Sequence, residues 1–427
     1  MNKLFNRLIK NKIVSNFAYL AGLQVFNYIL PLFTIPYLIR VLQPELYGLT
    51  VYAQSLMLLF VVFIDYGFNI TATQKVTQNI SNKENISQIL SSVLSTKIVL
   101  LVASYLILAI IILSVPKFGM HWQLYVFTAG ILIGQVLFPT WLFQGLQEMK
   151  YMLYFNSLIK IIFTILIFVF IKSPKDFIYV NLFTSIGSIF VGLWSIYFIL
   201  NKFKLTIHIS DFATIKQELI EGWKVFASNI SIQTYMVANL IILGFIADDK
   251  TVGNFSIAEK VMMLLRLFLA IFSQVLYPHV CKLSESPNDM KRFYISRVYP
   301  SLVVLFCLCG ILYILANPII LFITGSGILQ KDFEEIVLLL QLLSFVPFIV
   351  GLNIPSVLTV LAYNKKDIFL KVNLTGVIIN ISLNFLLTPD FKAIGSAISI
   401  ILTELFVTIA FIIYSSKYIN RLILNQP

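Results

Sequence analysis

The chain has 427 residues, 59% of them hydrophobic and only 12% charged, with a formal net charge of +12 and a mean hydropathy of +0.91. Soluble domains carry about 25% charged residues, so too little polar chain is present to cover this apolar content in water, and the composition defines an integral membrane protein. The apolar signal runs unbroken for 20 residues or more rather than alternating over ten, which excludes a transmembrane β-barrel.

Taken in order, the chain opens on the basic stretch "MNKLFNRLIKNKIVSNF", and the apolar run after it passes Pro36 without a small-residue cleavage site. It reads as an uncleaved signal anchor. Twelve apolar runs are long enough to cross about 30 Å of hydrocarbon: 14–39, 47–72, 89–114, 122–144, 152–171, 177–200, 223–247, 252–278, 297–324, 336–361, 368–388 and 392–416. The first contains Pro31 and Pro36, each of which removes a helix hydrogen bond and predicts a bend. The tenth contains Pro347, Gly351 and Pro355 and is predicted to be kinked or broken, an arrangement tolerated only against protein or a water-filled cavity.

Lys and Arg fall 20 on the loops of one side and 7 on those of the other. By the positive-inside rule both termini are cytoplasmic, and the net charge is topological, requiring no nucleic acid. The longest loop, 201–222, divides the spans six and six. The predicted organisation is therefore all-α, with a bundle over 1–200, a cytoplasmic linker over 201–222 and a second bundle over 223–427. Within "DFATIKQELIEGWKVF", Phe212, Ile215, Leu219, Trp223 and Phe226 share one helical face, the pattern of an interfacial amphipathic helix. The N-terminal "LFNRLIKNKIVSNF" has the same character. "YGLTVYAQ" (47–54) and "VGNFSIAE" (252–259) echo each other, Gly48 matching Gly253 and Ala53 matching Ala258. With six spans per half, this predicts a parallel internal repeat.

Seven charges fall within spans: Asp65, Lys97, Lys160, Glu259, Lys260, Arg266 and Glu404. Each costs about 2.5–3.5 kcal/mol at the centre of a lipid-facing helix, so they predict a polar interior. Arg266 lies thirteen residues from Gly253 and from His279, and Glu404 thirteen from Phe391 and from Lys417, about 20 Å from either end of a helix. These two are the strongest candidates for a cavity, or for a mutual ion pair that fixes packing. Glu259 is seven residues before Arg266, on the same face, with Lys260 beside it. Lys97 and Lys160 sit about 12 Å from the cytoplasmic end, where snorkelling competes with a role in the pathway; Asn156, Lys160 and Thr164 share a face. Asp65, in "FIDYGFN", is placed as a helix-terminal cap or a gate. Asn373, Asn380 and Asn384 stripe the eleventh span, and Ser396 and Thr403 the twelfth; such residues also join membrane helices.

The sequence has no G-x-x-x-x-G-K-[ST] loop and no H-E-x-x-H, and its three histidines are scattered, so neither an ATPase nor a metal site nor a catalytic group is predicted. Cys281, Cys307 and Cys309 imply no disulfide. No outer loop exceeds about a dozen residues, too short for an extramembrane active site. A transport protein without a cofactor is the reading that remains.

Two stretches carry a resemblance. "NFAYLAGLQVFNYILPLFTIPYLIRVLQPELYGLTVYAQSLMLLFVVFIDYGFNITATQKV" (16–76) and "GNFSIAEKVMMLLRLFLAIFSQVLYPHV" (253–280) resemble bacterial polysaccharide flippases, the O-antigen or repeat-unit transporters. The resemblance implies a fold like that of multidrug-and-toxin-extrusion proteins, two six-helix bundles around a central cavity that alternate between inward- and outward-open states. It implies as substrate an undecaprenyl-pyrophosphate-linked oligosaccharide, moved across the bacterial cytoplasmic (inner) membrane. A proton or sodium gradient would supply the energy, and a polysaccharide polymerase and chain-length machinery would be partners besides the membrane lipids. By the same resemblance Arg40, in the PYLIR segment, becomes an outer-gate residue, Asp65 of the second span joins the pathway, Glu259, Lys260 and Arg266 line the cavity, and Asp65, Glu259 or Glu404 is the coupling carboxylate. The family's basic excess is slight here, four basic against three acidic charges within spans. An ion-coupled multidrug exporter on the same fold is the alternative; an acidic, aromatic pocket would favour it.

Overall fold

The computed structural model describes residues 12–283, 286–363 and 365–424; the basic stretch before Lys12 lies outside them. It divides into two compact units. One comprises the chain up to Leu42 together with Ala53–Gln233; the other comprises Gln43–Tyr52 together with the chain from Thr234.

The helices are α1 (Lys12–Asp65), α2 (Phe68–Gln78), α3 (Lys83–Ser114), α4 (Pro116–Met120), α5 (Trp122–Leu137), α6 (Thr140–Gly145), α7 (Met149–Phe170) and α8 (Phe177–Phe203). There follow α9 (Phe212–Ile246), α10 (Asp249–Leu283), α11 (Pro287–Phe293), α12 (Tyr299–Ile314), α13 (Ala316–Thr324), α14 (Gln330–Leu343), α15 (Val346–Ala362) and α16 (Lys366–Leu424). Among the described residues eight helices are long and apolar enough to cross a membrane, and a ninth if the bent pair Phe212–Tyr235 and Val237–Ile246 forms one span.

Two of the helices are far too long for one crossing. At 1.5 Å per residue α1 and α16 would each reach about 80–90 Å, against a hydrocarbon core of about 30 Å. Each is interrupted by one residue outside helical geometry, Gln43 in α1 (φ 64°) and Lys392 in α16 (φ 49°). Contacts across Lys392 identify α16 as a helical hairpin: Ser396 donates to Asn384 Oδ1 at 2.9 Å, Asn380 to Thr403 Oγ1 at 3.4 Å, and Gly376 lies against Val407. Divided at these two residues, the helices are consistent with the twelve spans read from the sequence. α1 remains helical through Pro31 and Pro36, its break falling at Gln43. The expected interruption of the tenth span lies at Ser344–Phe345, where α14 ends and α15 restarts with Pro347 in its first turn. Pro355 is buried inside α15, and Gly351 lets that helix approach α12, since a Cβ there would lie 2.5 Å from Leu305. Cys281, Cys307 and Cys309 form no disulfide among the described residues.

In the first unit, α5 and α8 pack through small residues. Gly130 and Gly134, one turn apart, meet Ser185 and Ser188, and Ser185 donates to the Phe127 carbonyl. In lipid this close approach replaces the hydrophobic drive that helices use in water. The chain between α8 and α9 is an extended strap laid along α3. The Thr206, His208 and Ser210 amides donate to the hydroxyls of Ser87, Ser91 and Ser95 at 3.2, 2.9 and 3.2 Å. The spacings match: two extended residues advance about 6.6 Å, and four helical residues about 6 Å. The first turns of α9 are then pinned by charge. Lys75 of α2 bonds Glu218 at 2.9 Å and Glu221 at 2.7 Å, and Ser92 of α3 donates to Glu218 at 3.0 Å. On the face that carries the amphipathic pattern Ile215 is buried, while Phe212 and Trp223 are exposed.

In the second unit the Gln43–Tyr52 segment crosses the start of α10 at backbone contact. A Cβ on Gly253 would lie 1.9 Å from the Pro44 carbonyl oxygen, and one on Gly48 2.6 Å from the Gly253 nitrogen. The two glycines matched in the sequence echo therefore touch each other, and no larger residue fits at either position.

Candidate functional site

Two polar clusters among the apolar spans of the described residues contain a buried ion pair, one in each unit. In the second unit, α10 carries Glu259, Lys260 and Arg266. The seven-residue interval sets Glu259 and Arg266 on one face, about 10 Å apart along the axis. Arg266 Nη2 donates to Glu404 Oε1 of α16 at 2.8 Å, and Glu404 is buried. The Tyr235 hydroxyl of α9 interacts with both partners. Tyr235, Asn239, Glu259 and Arg266 line a cavity of about 20 Å³, room for about one water molecule. The Glu259 side chain has no hydrogen bond among the described residues and lies within the field of Lys260 and Arg266. Lys260 instead donates to the Tyr47 hydroxyl at 2.7 Å, its amine 5.0 Å from the ring centroid.

A seam of uncharged polar residues continues from that cavity. Asn239 Oδ1 accepts from Asn380 at 3.1 Å and from Asn384 at 2.7 Å, and Asn384 Oδ1 accepts from Ser396. Each of these side chains is buried and bonded, so the stripe read from the eleventh and twelfth spans serves first to join α9 to both arms of α16. Asn373 donates to the Phe369 carbonyl of its own helix.

In the first unit Asp65 and Lys97, separate candidates in the sequence, form one ion pair at 3.1 Å. Lys97 is 0% exposed, so it does not snorkel. Asp65 Oδ2 also accepts from Asn69 at 2.6 Å, and Asn69 Oδ1 accepts from Thr140 at 2.6 Å, which ties α1, α2, α3 and α6 together. The backbone makes this possible by turning sharply after Asp65. Tyr66 and Gly67 have φ of 44° and 85°, and a Cβ on Gly67 would meet Val225 at 2.6 Å. Tyr66 stacks on Phe226 of α9 with ring centroids 4.6 Å apart. Asp65 is thus a bonded anchor at a helix end. Lys160 is half-buried on α7, beside Asn156, which donates to the Met152 carbonyl. Arg40 is exposed near the end of the first arm of α1.

Sequence reasoning missed Tyr235, Asn239, Tyr47, Asn69 and Thr140. Asn239 had a signal, being the one amide within "YMVANLIILGFI". The others are ordinary until tertiary contacts give them partners.

Apolar helical spans enclosing buried ion pairs define a polytopic membrane protein, and its fold is that of the multidrug-extrusion and lipid-flippase transporters. It is similar to "Lipid II flippase MurJ, inward closed conformation" with a TM-score of 0.74 and 16% identity, over 93% of this chain and 87% of that one. It is also similar to an inward-facing multidrug resistance MATE family transporter of the MOP superfamily, with a TM-score of 0.70 and 14% identity, over 94% of this chain and 100% of that one. By sequence, the chain belongs to the polysaccharide biosynthesis protein family, whose model matches residues 13–284. It is 30% identical over 404 residues to an Escherichia coli (strain K12) protein described as "Putative O-antigen transporter", covering 92% of this chain and 94% of that one. A protein of Shigella dysenteriae with the same description is 26% identical, over 90% of this chain and 95% of its own.

Proposed function

We propose that this chain is a flippase that moves undecaprenyl-pyrophosphate-linked oligosaccharide repeat units from the cytoplasmic to the outer leaflet of the bacterial cytoplasmic membrane, for surface polysaccharide assembly. Both termini face the cytoplasm in this reading, and a polymerase and chain-length machinery receive the product. The observation that carries it is Arg266: a guanidinium at mid-depth in a polysaccharide-family chain, held by Glu404 and Tyr235 beside a water-sized cavity. A guanidinium binds phosphate oxygens in a bidentate fork, which suits a pyrophosphate better than it suits the cation a multidrug exporter would carry.

Energy comes from a proton or sodium gradient in this proposal, and Glu259 is the carboxylate that exchanges. Asp65 and Glu404 are each committed to a cation at 3.1 and 2.8 Å. Glu259 lines the cavity without such a bond.

A deletion strain tests the transport reading. Lipid-linked repeat units should accumulate on the inner leaflet while surface glycan disappears, and the wild-type gene should restore it. Arg266→Ala should restore little glycan at an unchanged protein level. Normal surface glycan in a deletion strain with no second flippase gene overturns the proposal.

A further inference from the structure

A groove in the first unit is separate from both polar clusters. It lies between α7 and α8 and has a volume of about 290 Å³. Ile162, Phe163 and Leu166 wall it on α7; Phe183, Gly187 and Phe190 wall it on α8. Its depth comes from Gly187, which contributes no side chain where α8 faces Ile159. Ile162 and Phe190 are exposed, so the groove is reached from the lipid side of these spans. The lining has no titratable group.

Its position on α7 narrows the occupant. At 100° per residue, Lys160 lies about 130° round the helix from the centre of the groove face. Asn156 and Thr164 stand on the same side as Lys160. One helix therefore offers an apolar trough on one flank and a cation with two polar groups on the next. A molecule that matches this order has an apolar chain joined directly to an anionic head. The volume falls at the small end of ligand pockets, enough for a short length of chain, and its wholly apolar lining offers no partner to a sugar's hydroxyls.

We propose that the α7–α8 groove seats the polyprenyl chain of the lipid-linked substrate as it first docks, with its pyrophosphate towards the Lys160 face before the head passes to Arg266; this rests on the flippase reading. Lipid tails are as apolar as the groove, so a chain gains no hydrophobic free energy by entering it. What it gains is dispersion contact from shape. A trough lobed by three phenylalanines fits a chain with a methyl branch on every isoprene unit, and a straight acyl chain gains nothing there over the bilayer. The groove therefore positions the tail, while the head supplies affinity.

Photocrosslinking of the full chain in phosphatidylethanolamine–phosphatidylglycerol nanodiscs tests this. One probe is polyprenyl pyrophosphate with a diazirine in its tail; the other is phosphatidylglycerol with the same label. The polyprenyl probe should mark residues 158–166 and 183–191. Unlabelled polyprenyl pyrophosphate should suppress that marking and excess phosphatidylglycerol should not. Ile162→Trp, a filling change at an exposed position, should lower it about fivefold, equivalent to about 1 kcal/mol in affinity, with the protein's melting temperature unchanged. Equal marking by both probes would mean an ordinary bilayer lipid occupies the groove, and marking indifferent to Ile162→Trp and to a second filling change, Leu166→Trp, would mean the tail lies elsewhere; either result overturns the assignment. Flipping of a fluorescent polyprenyl-linked glycan is measured alongside. Flipping without groove marking overturns the groove alone. Competed marking without flipping overturns the transport reading and upholds the groove as a polyprenyl site.

Discussion

Lys97 is the residue whose environment departs furthest from what its position in the chain suggests. An amine about 12 Å from a helix end can reach the headgroups, yet this one is wholly buried against Asp65. The pair is tolerated because the second carboxylate oxygen is also satisfied, by Asn69. Removing one partner strands the other, at a cost of about 3–5 kcal/mol, whereas replacing both with apolar residues is often neutral. Lys97→Met should therefore lower the melting temperature of the purified protein sharply, and Asp65→Leu added to it should restore most of the loss. Equal melting of the single variant and the wild type would mean the pair contributes nothing to packing. The sequence identified both residues as intramembrane charges needing a reason. It did not pair them, because they are 32 residues apart on different helices and nothing in either neighbourhood specifies the other.

At the scale of elements, the strap between α8 and α9 shows how a loop without secondary structure is held. Three serines at four-residue intervals on α3 accept three alternate amides of the strap. Each such bond contributes about 0.5–1.5 kcal/mol net. Ser87→Ala, Ser91→Ala and Ser95→Ala together should speed hydrogen exchange at Thr206, His208 and Ser210 by one to two orders of magnitude, about 1.4 kcal/mol per order, and leave α5 and α8 protected. Unchanged exchange at those amides would mean Glu218 and Lys75 alone hold the linker. The serine spacing in "NISQILSSVLSTK" is visible in the sequence, but nothing along the chain says that an extended segment more than a hundred residues on lies against it. The spans were legible in outline, with ends that differ from the helices by several residues, since an unbroken apolar run of this length has one stable state in lipid, a helix that satisfies its own backbone. The break of the tenth span beside Pro347 was legible for the same reason, as proline lacks the N–H the helix needs. The breaks at Gln43 and Lys392 were anticipated only as short loops, for neither residue announces a positive φ.

At the scale of the whole molecule, the prediction concerns coupling. If Glu259 exchanges the driving ion, losing its proton places a second carboxylate near the single guanidinium of Arg266, which Glu404 already engages. In proteoliposomes the wild-type flipping rate should rise with an imposed gradient. Glu259→Gln should flip at a slow rate that ignores the gradient, while Glu259→Asp retains the dependence. A Glu259→Gln protein that still follows the gradient assigns coupling to another group. Comparing proton with sodium gradients in the same vesicles identifies the ion.

The sequence by itself determined the solvent, the helical class, the approximate spans and the family, because each follows from composition, from period or from a contiguous motif. Only the tertiary structure decided what the charges do. It joined Asp65 to Lys97 and Arg266 to Glu404, gave Lys260 to Tyr47, left Glu259 facing a water-sized cavity, and opened an apolar groove on the helix that carries Lys160. An ion pair buried in a membrane protein is fixed by which helix faces meet, and that depends on close approaches such as Gly48 on Gly253. Those two glycines stood out in the sequence as an echo between the halves. Their contact, which no spacing along the chain specifies, is why both must be glycine.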